Sequence, residues 1–91
     1  MPITVHLPNV LAPLAGGQRR ITAEGRTVGD VIDALATRYP GLGPRLRDES
    51  GRPYEFVTIY RNDEDIRLAG GFAGPVRDGD QLTVVPAVAG G

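Results

Sequence analysis

Apolar and polar residues alternate over residues 3–7, the pattern of a half-buried β-strand. A segment containing Pro13 and the pair Gly16-Gly17 follows and is typical of a loop. Residues 18–23 then form a second short apolar stretch in which Ile21 is the clearest inward residue. The two stretches together predict an N-terminal β-hairpin with a wide loop.

A helix is predicted after this hairpin. Thr27 is a suitable N-cap, and Asp30 three residues later gives an aspartate version of the capping box. Pro40-Gly41 ends the pattern, and residues 41–53 form a connector with one turn around Arg45-Leu46. The apolar positions at helical spacing are Val28, Val31, Ile32, Leu35 and Tyr39.

The C-terminal half predicts two or three further strands. Residues 54–61 alternate, with Val57 and Ile59 on one face. Residues 62–65 are typical of a turn and 66–68 of a short strand after it. The other face of the first strand is expected to carry Phe56, Thr58 and Tyr60.

The last strand is predicted over residues 81–86, directly after the tight-turn signal Asp78-Gly79-Asp80. Leu82 and Val84 are expected to face inward, and Thr83 and Val85 outward. The Gly-rich segment 70–75 before the turn is expected to be a flexible loop. Residues 87–91 have neither bulk nor pattern enough to pack, so we expect a mobile tail.

The order of these elements predicts an α+β fold. One main helix covers one face of a mixed sheet of four to five strands, in which the first and last strands are central and parallel. This is the ubiquitin-like β-grasp architecture. We expect a β-grasp domain over residues 1–86 and a flexible C-terminal tail over residues 87–91, ending in Gly-Gly.

Composition narrows the function classes. With 91 residues the chain holds one modest core, and 41% hydrophobic residues with a formal charge of -1 are typical of a globular protein. That charge gives no support for nucleic-acid binding. There is no apolar run near the ~18 residues of a membrane span and no signal-peptide pattern, so we expect no membrane association and a cytoplasmic location.

Two residue types are missing from the sequence. There is no cysteine, which excludes disulfides and thiolate metal sites, so any sulfur the protein handles comes from elsewhere. All ten basic residues are arginine. The chain therefore offers no lysine side chain to which the C-terminus of another copy could be joined.

The terminal pair Gly90-Gly91 is the strongest candidate for chemistry. A C-terminal carboxylate, with a pKa of about 3.5, is ionised at neutral pH and is a poor electrophile until it is activated, most simply by adenylation. Glycines lack Cβ and fit a narrow channel leading into another protein's active site. Sulfide or a persulfide can then displace AMP and leave a thiocarboxylate.

Several segments resemble the MoaD/ThiS sulfur-carrier family. These are residues 62–67, the Asp78-Gly79-Asp80 turn, and residues 84–91 with their Gly-Gly end. Residues 7–11 with 16–18 and the Gly70-Gly71-Phe72 loop are similar to one branch, the CysO-type carriers of actinobacteria. The resemblance covers essentially the whole chain.

This resemblance implies the ubiquitin-like fold and ATP-dependent activation by a MoeB/ThiF-like adenylyltransferase, an E1-like enzyme. It implies a thiocarboxylate on Gly91, with Gly90 as the residue that fits the channel. For the CysO-type branch it further implies sulfur delivery to a PLP-dependent cysteine synthase and release of the product by a metalloprotease. No cofactor is expected to be bound by the chain itself, since ATP is consumed by the activating partner.

A partner surface is expected beside the tail. Val85 is an outward apolar residue next to it, and Tyr60 and Phe56 are outward aromatics on a neighbouring strand, a combination that suits recognition. Scattered exposed apolar residues are the alternative. Phe72 is a further contact candidate or a plug that folds back on the core. The tail residues expected to contact the partner are Ala87, Val88 and Ala89.

Other polar groups indicate no site. His6 is the only histidine, and no second imidazole or thiol lies near it, so metal binding is not expected. The acidic run 63–65 lacks the spacing of a calcium loop. The Gly-rich segment 70–74 is not a phosphate loop, because no Lys-Ser/Thr follows it.

The sequence leaves three functions open. The first is a carrier that acts as a co-substrate and not as an enzyme, with cysteine synthesis ahead of molybdopterin, thiamine or a thiolated metabolite as the recipient pathway. The second is a ubiquitin-like protein modifier that forms isopeptides through Gly91. The third is a non-catalytic β-grasp interaction module whose tail has no reaction.

Overall fold

The computed structural model describes residues 2–86. The predictions for the tail, residues 87–91, lie outside the described residues. Between residues 2 and 86 the chain forms five strands and two α-helices, with three short 3-10 helices between them. These elements are β1 (Ile3–His6), β2 (Arg20–Ala23), α1 (Val28–Arg38), α2 (Gly43–Leu46), β3 (Val57–Arg61), β4 (Glu64–Asp65) and β5 (Gln81–Pro86).

The five strands form one mixed sheet in the order β2-β1-β5-β3-β4. β1 pairs antiparallel with β2 and parallel with β5, and β5 pairs antiparallel with β3. The first and last strands are therefore central and parallel, as the sequence predicts. The arrangement is a β-grasp fold.

The core lies between α1 and one face of the sheet. The helix contributes a buried apolar stripe, and Ile3, Val5, Ile59, Leu82 and Val84 face it from the strands. Each fully buried aliphatic side chain of this kind contributes roughly 1.5–3 kcal/mol relative to an exposed one. The buried members of the helical stripe are Val28, Val31, Ile32 and Leu35.

The predicted capping of α1 is confirmed with one change. The Thr27 hydroxyl accepts a hydrogen bond from the Asp30 backbone N–H at 3.1 Å. The Asp30 carboxylate, in return, accepts from the backbone N–H of Arg26, one residue before the cap, at 3.1 Å. Two backbone N–H groups at the start of the helix are thus satisfied locally.

The short strand predicted over residues 66–68 is wrong. Ile66–Leu68 is a 3-10 helix. The strand that pairs with the outer side of β3 is instead β4, inside the predicted turn. Asn62 adopts a left-handed conformation (φ 54°), which lets the chain reverse within two residues so that pairing resumes at Glu64. The Asp65 carboxylate then accepts the Arg67 backbone N–H at 2.9 Å and starts the 3-10 helix.

The third strand is shorter than predicted. β3 begins at Val57, because a turn closed by the Val57 N–H and the Tyr54 carbonyl oxygen (3.2 Å) precedes it. Tyr54 is held to α2 by a backbone hydrogen bond to the Leu46 carbonyl at 3.0 Å. Phe56 therefore lies in the turn and not on the strand, with its ring edge-on to that of Tyr54 at 5.3 Å.

The Gly-rich segment 70–75 packs on the start of α1. Its 3-10 helix, Gly71–Ala73, is followed by Gly74, whose carbonyl oxygen accepts the Val28 N–H at 3.0 Å. A Cβ on Gly29 of α1 would lie only 3.1 Å from the Phe72 carbonyl oxygen, so loop and helix are in close backbone contact. The loop thereby covers the core at the N-terminal end of α1.

Gly74→Ala is expected to lower the free energy of unfolding by about 1–3 kcal/mol, the usual range for overpacking. Its φ of -63° suits any residue, but a Cβ there would overlap the carbonyl oxygen of Ala69. Chemical denaturation measures the change. Gly41→Ala is the matched control, because that Cβ would meet only the end of the Leu14 side chain at 3.4 Å. Equal stability of the two variants would contradict the packing described.

Asp80 joins three elements at the start of β5. Its backbone carbonyl accepts the Thr4 N–H at 3.2 Å, and its carboxylate accepts from Arg61 Nε at 2.9 Å, the Arg77 backbone N–H at 2.8 Å and the Asn62 amide at 3.2 Å. Partial burial alone would raise the pKa of Asp80. The hydrogen bonds from Arg77, Arg61 and Asn62 together outweigh it and hold that pKa below its ordinary value.

Asp80 is therefore expected to stabilise the fold at neutral pH and to lose this contribution in acid. Because its pKa is lowered on folding, the stabilisation is present above the unfolded pKa of about 4 and is lost as pH falls through the folded pKa. Asp80→Asn should reduce stability by about 1–3 kcal/mol at pH 7, with the difference from the parent chain shrinking below pH ~4. Urea denaturation at several pH values tests this, and a difference independent of pH would contradict it.

Candidate functional site

The candidate site is the carboxyl end of β5, where the described chain leaves the sheet. In the β1–β5 ladder the Thr4 N–H bonds to the Asp80 carbonyl, and the pairing runs to His6 and Thr83. Continuing the parallel register would require the N–H groups of Pro8 and Pro86, which proline lacks. Two prolines on adjacent strands thus end the ladder at the same level.

The other side of β5 stays paired to its last residue. Val57 lies opposite Pro86, and in this antiparallel register the nitrogen of Pro86 faces β1 and not β3, so no β3 hydrogen bond is lost. β5 therefore remains paired with β3 up to Pro86, whereas its pairing with β1 has already ended. Pro86, the last described residue, lies between the loop after β1 and the turn before β3.

The outer face of the sheet, opposite α1, leads to this exit. Val85 lies opposite Thr58, and Tyr60 lies opposite Thr83, which itself neighbours His6 of β1. Val85 is 40% exposed and Tyr60 is half-buried. Because Val85 and Tyr60 are diagonal neighbours on one face, their side chains are within reach of each other, as the sequence predicts.

Polar pairs border this face. His6 shares a 2.7 Å hydrogen bond with the Gln81 side chain, so it lies on the surface of the sheet as expected. On the β4 side Arg67 binds the Asp65 carboxylate with Nε and Nη2, and these bonds together with that from its backbone N–H hold the pKa of Asp65 below its usual value. The face thus carries Val85 and Tyr60 beside threonines, bordered by ordered polar pairs.

The two phenylalanines predicted for the partner surface lie in different places. Phe56 is 51% exposed and lies just before β3, near the exit of β5. Phe72 is half-buried and packs against the core beside α1, on the opposite side of the sheet from Val85. Its position agrees with the plug interpretation and separates it from the outer face.

Three residues near the exit and the sheet edge were not anticipated. Val10, in the loop after β1, is 67% exposed, and Leu68, after β4, is 81% exposed. Neither stands out in the sequence, because Val10 lies in a loop and Leu68 ends a 3-10 helix too short to show a periodic pattern. The third is Pro8, whose alignment with Pro86 depends on the strand register and is not apparent from the sequence.

The described part of the chain contains no group of three or more residues of the types His, Cys, Asp and Glu arranged to hold a metal ion. No helix within residues 2–86 is long and apolar enough to span a membrane. The predicted reactive residues Gly90 and Gly91, and the tail residues Ala87, Val88 and Ala89, lie outside the described residues. The structure therefore describes the candidate site only up to Pro86.

Sequence comparisons agree with the expectation from the motifs. The model of the ThiS family matches residues 5–91. The chain is 48% identical to the sulfur carrier protein CysO of Mycobacterium tuberculosis over an alignment of 93 residues that covers all of both proteins. It is 36% identical to small archaeal modifier protein 1 of Haloferax volcanii, over 89% of this chain and 91% of that protein.

Solved structures give the same result. The crystal structure of the Amycolatopsis orientalis BexX/CysO complex contains a chain that matches with a TM-score of 0.90 at 43% identity, covering 98% of this chain and 99% of that one. Crystalline Mycobacterium tuberculosis CysO matches with a TM-score of 0.88 at 46% identity, covering 94% and 99%. The chain belongs to the ThiS family, and its function is that of a sulfur carrier protein.

Proposed function

We propose that the sulfur is carried on the carboxyl group of Gly91, which the fold presents from the end of β5. The observation that carries this proposal is that Pro8 and Pro86 end the β1–β5 hydrogen-bond ladder at the same level. Five residues, 87–91, follow Pro86, and fully extended they span at most roughly 17 Å. That reach is enough to place the terminal carboxyl in a cleft of a partner while the domain stays outside.

The chemistry takes two balanced steps on the partner enzyme. A carboxylate oxygen of Gly91 attacks the α-phosphorus of ATP and pyrophosphate leaves, which gives an acyl adenylate. Hydrosulfide then attacks the acyl carbon, AMP leaves with the bonding electron pair, and the thioacid that forms loses its proton to water, so a thiocarboxylate remains. Gly90, which lacks Cβ, is proposed to fit the narrow channel that leads to the reacting carbon.

The partners follow from this chemistry and from the similarity to CysO. We assign activation to a MoeB/ThiF-like adenylyltransferase and sulfur acceptance first to a PLP-dependent cysteine synthase, with a metalloprotease releasing the product. The chain itself is then a co-substrate and not an enzyme, acting in the cytoplasm where ATP is supplied. The similar Amycolatopsis orientalis CysO is seen in a complex with BexX, which supports docking to a separate protein.

A second function, protein modification through Gly91, is favoured by the 36% identity to a small archaeal modifier protein. A lysine amine of a target would then attack the acyl carbon of the same adenylate, so that AMP leaves, the amine loses a proton and an isopeptide bond remains. The two functions differ in the product found in cells. Mass spectrometry of conjugates linked through Gly91 to target lysines distinguishes the modifier from the carrier.

Trapping of the acyl adenylate tests the shared first step. The full chain is incubated with the adenylyltransferase, ATP and hydroxylamine, and the C-terminal peptide is analysed by mass spectrometry. A hydroxamate on Gly91 that requires ATP is the expected result. If no hydroxamate forms with an adenylyltransferase that activates another carrier in the same assay, the proposed activation is wrong.

Val85 is proposed to dock the adenylyltransferase through the outer face. Val85→Asp replaces the exposed apolar side chain beside the end of β5 with a charge, so it should weaken binding about tenfold or more, equivalent to at least 1.4 kcal/mol. Leu68→Asp is the matched control, since Leu68 is even more exposed but lies beyond β4. Calorimetric titration measures both variants, and equal affinities would remove Val85 from the interface.

A further inference from the structure

The outer edge of β2 is an unpaired edge of the sheet. The strand register shows which of its backbone groups point outward. The Leu7 N–H bonds to the Arg19 carbonyl at 2.7 Å, and in this register Ile21 and Ala23 also direct their backbone groups to β1. Arg20 and Thr22 therefore point theirs away from the sheet. Within residues 2–86 no strand pairs with that edge.

A single side chain covers part of the edge. Arg38 of α1 donates from Nη1 to the outward carbonyl oxygen of Thr22 at 2.7 Å and from Nη2 to the Tyr39 hydroxyl at 3.1 Å. This leaves the outward N–H of Thr22 and both backbone groups of Arg20 without a strand partner among the described residues. β2 lacks proline and bulges, two of the devices that block such an edge, although it is only four residues long and begins with the charged Arg20.

A groove of about 440 Å³ runs beside this edge, between β2 and α1. Its lining includes the small residues Ala23 and Ala34, which leave room for the side chains of an added strand. The full lining is Pro2, Thr22, Ala23, Glu24, Ala34 and Arg38.

The charges around the edge select the occupant. Arg20 and Arg38 lie on or beside this edge, whereas Arg19 donates to the Asn9 side chain at 3.2 Å; Glu24 is the one carboxylate among the groove residues. Edge-to-edge pairing of two copies would bring these arginines together and is disfavoured by like-charge repulsion. An extended segment with carboxylates at alternate positions is complementary in charge.

We propose that the outer edge of β2 accepts an extended, acidic segment of a partner protein as an added sixth strand. The segment bonds to the outward groups of Arg20 and Thr22, and Arg38 moves from the Thr22 carbonyl to a carboxylate of the segment. Because β1 separates β2 from β5, the added strand leaves the exit at Pro86 and the Val85 face open. This docking site is independent of the chemistry proposed for Gly91.

The test is a titration of the ¹⁵N-labelled full chain with an acetylated and amidated peptide of sequence TVEVEVT, with TVKVKVT as the charge control. The amides of Arg20, Thr22 and Arg38 are expected to shift. At saturation the Arg20 and Thr22 amides should exchange with solvent at least about tenfold more slowly, because strand pairing protects them. The lysine peptide should bind at least about tenfold more weakly.

Variants at two positions distinguish binding at this edge from non-specific electrostatic attraction. Thr22→Pro removes the outward N–H without removing a β1 hydrogen bond, so it should abolish binding, whereas Thr22→Val should bind normally. Arg38→Glu, an exposed substitution that does not depend on tolerating proline, should reverse the preference between the two peptides.

Three results of the peptide titration would overturn the proposal. These are an absence of shifts at millimolar peptide, shifts centred on the outer face around Tyr60, and equal binding of the acidic and basic peptides. Protection of the Thr22 amide that rises with protein concentration alone would assign the edge to a second copy and would also overturn it.

Discussion

Deletion of Gly91 is expected to lower the rate of acyl-adenylate formation by about 10²-fold or more while leaving the stability of the domain unchanged. The shortened chain still ends in a carboxylate, on Gly90, but that group is drawn back by roughly 3.5 Å, one residue of extended chain. A misplacement of about 1 Å at a reacting centre already lowers rates by roughly 10²-fold. Hydroxamate formation with the cognate adenylyltransferase measures the effect.

A chain extended by one alanine after Gly91 is the matched control. It shifts the carboxyl by a similar distance in the opposite direction, so it should lose activity as well. Thermal denaturation of both variants should match the parent chain, because residues 2–86 are unchanged. Adenylation of the shortened chain at the parent rate would contradict a fixed reach from the end of β5.

Leu82→Ala is expected to lower the free energy of unfolding by about 3–4 kcal/mol, within the 2–5 kcal/mol range for buried leucines. Leu82 is fully buried on the central strand, opposite Val5 on one side and Arg61 on the other. A domain of this size is stable by only about 5–14 kcal/mol in total. Differential scanning calorimetry should show a fall in Tm of roughly 15 °C or more.

Val85→Ala is the control on the same strand. Its side chain points to the outer face and is 40% exposed, so the loss should stay below about 1 kcal/mol. The two variants also distinguish an effect on partner binding from an effect on stability. Val85→Ala should weaken partner binding, and Leu82→Ala should act through unfolding. Comparable stability losses would contradict the assignment of the two faces of β5.

Periodic segments could be predicted from the sequence because their pattern is set by burial on one face. The stripe of α1, with Thr27 as its N-cap, and the alternation in β5 both have buried residues where predicted. The parallel pairing of β1 with β5 follows once one helix must cover one sheet. The fold class was therefore predictable.

Features set by single conformations could not be predicted. The strand β4 depends on a left-handed Asn62, and the 3-10 helix after it depends on a local hydrogen bond from Arg67 to Asp65. For Phe72 the sequence allows both a partner contact and a plug on the core, and the close approach to Gly29 that favours the plug has no periodic signature. Pairing contacts and turn geometry of this kind are decided by tertiary structure.

The site was predictable in its chemistry and not in its geometry. Gly90-Gly91 and Val85 are apparent from sequence, and their roles stay proposals. The register adds the reason that the β1–β5 ladder ends before Pro86: Pro8 and Pro86, at the same level of the ladder, cannot donate hydrogen bonds. Only the strand pairing relates these two residues, which lie far apart in sequence.

The most direct test of the central claim is the intact mass of the chain after incubation with the adenylyltransferase, ATP and sulfide. The expected result is an increase equal to the exchange of one oxygen for one sulfur, located on Gly91 by fragmentation and dependent on ATP. An unchanged mass, under conditions in which the same enzyme loads another carrier, would contradict the proposal that Gly91 carries the sulfur.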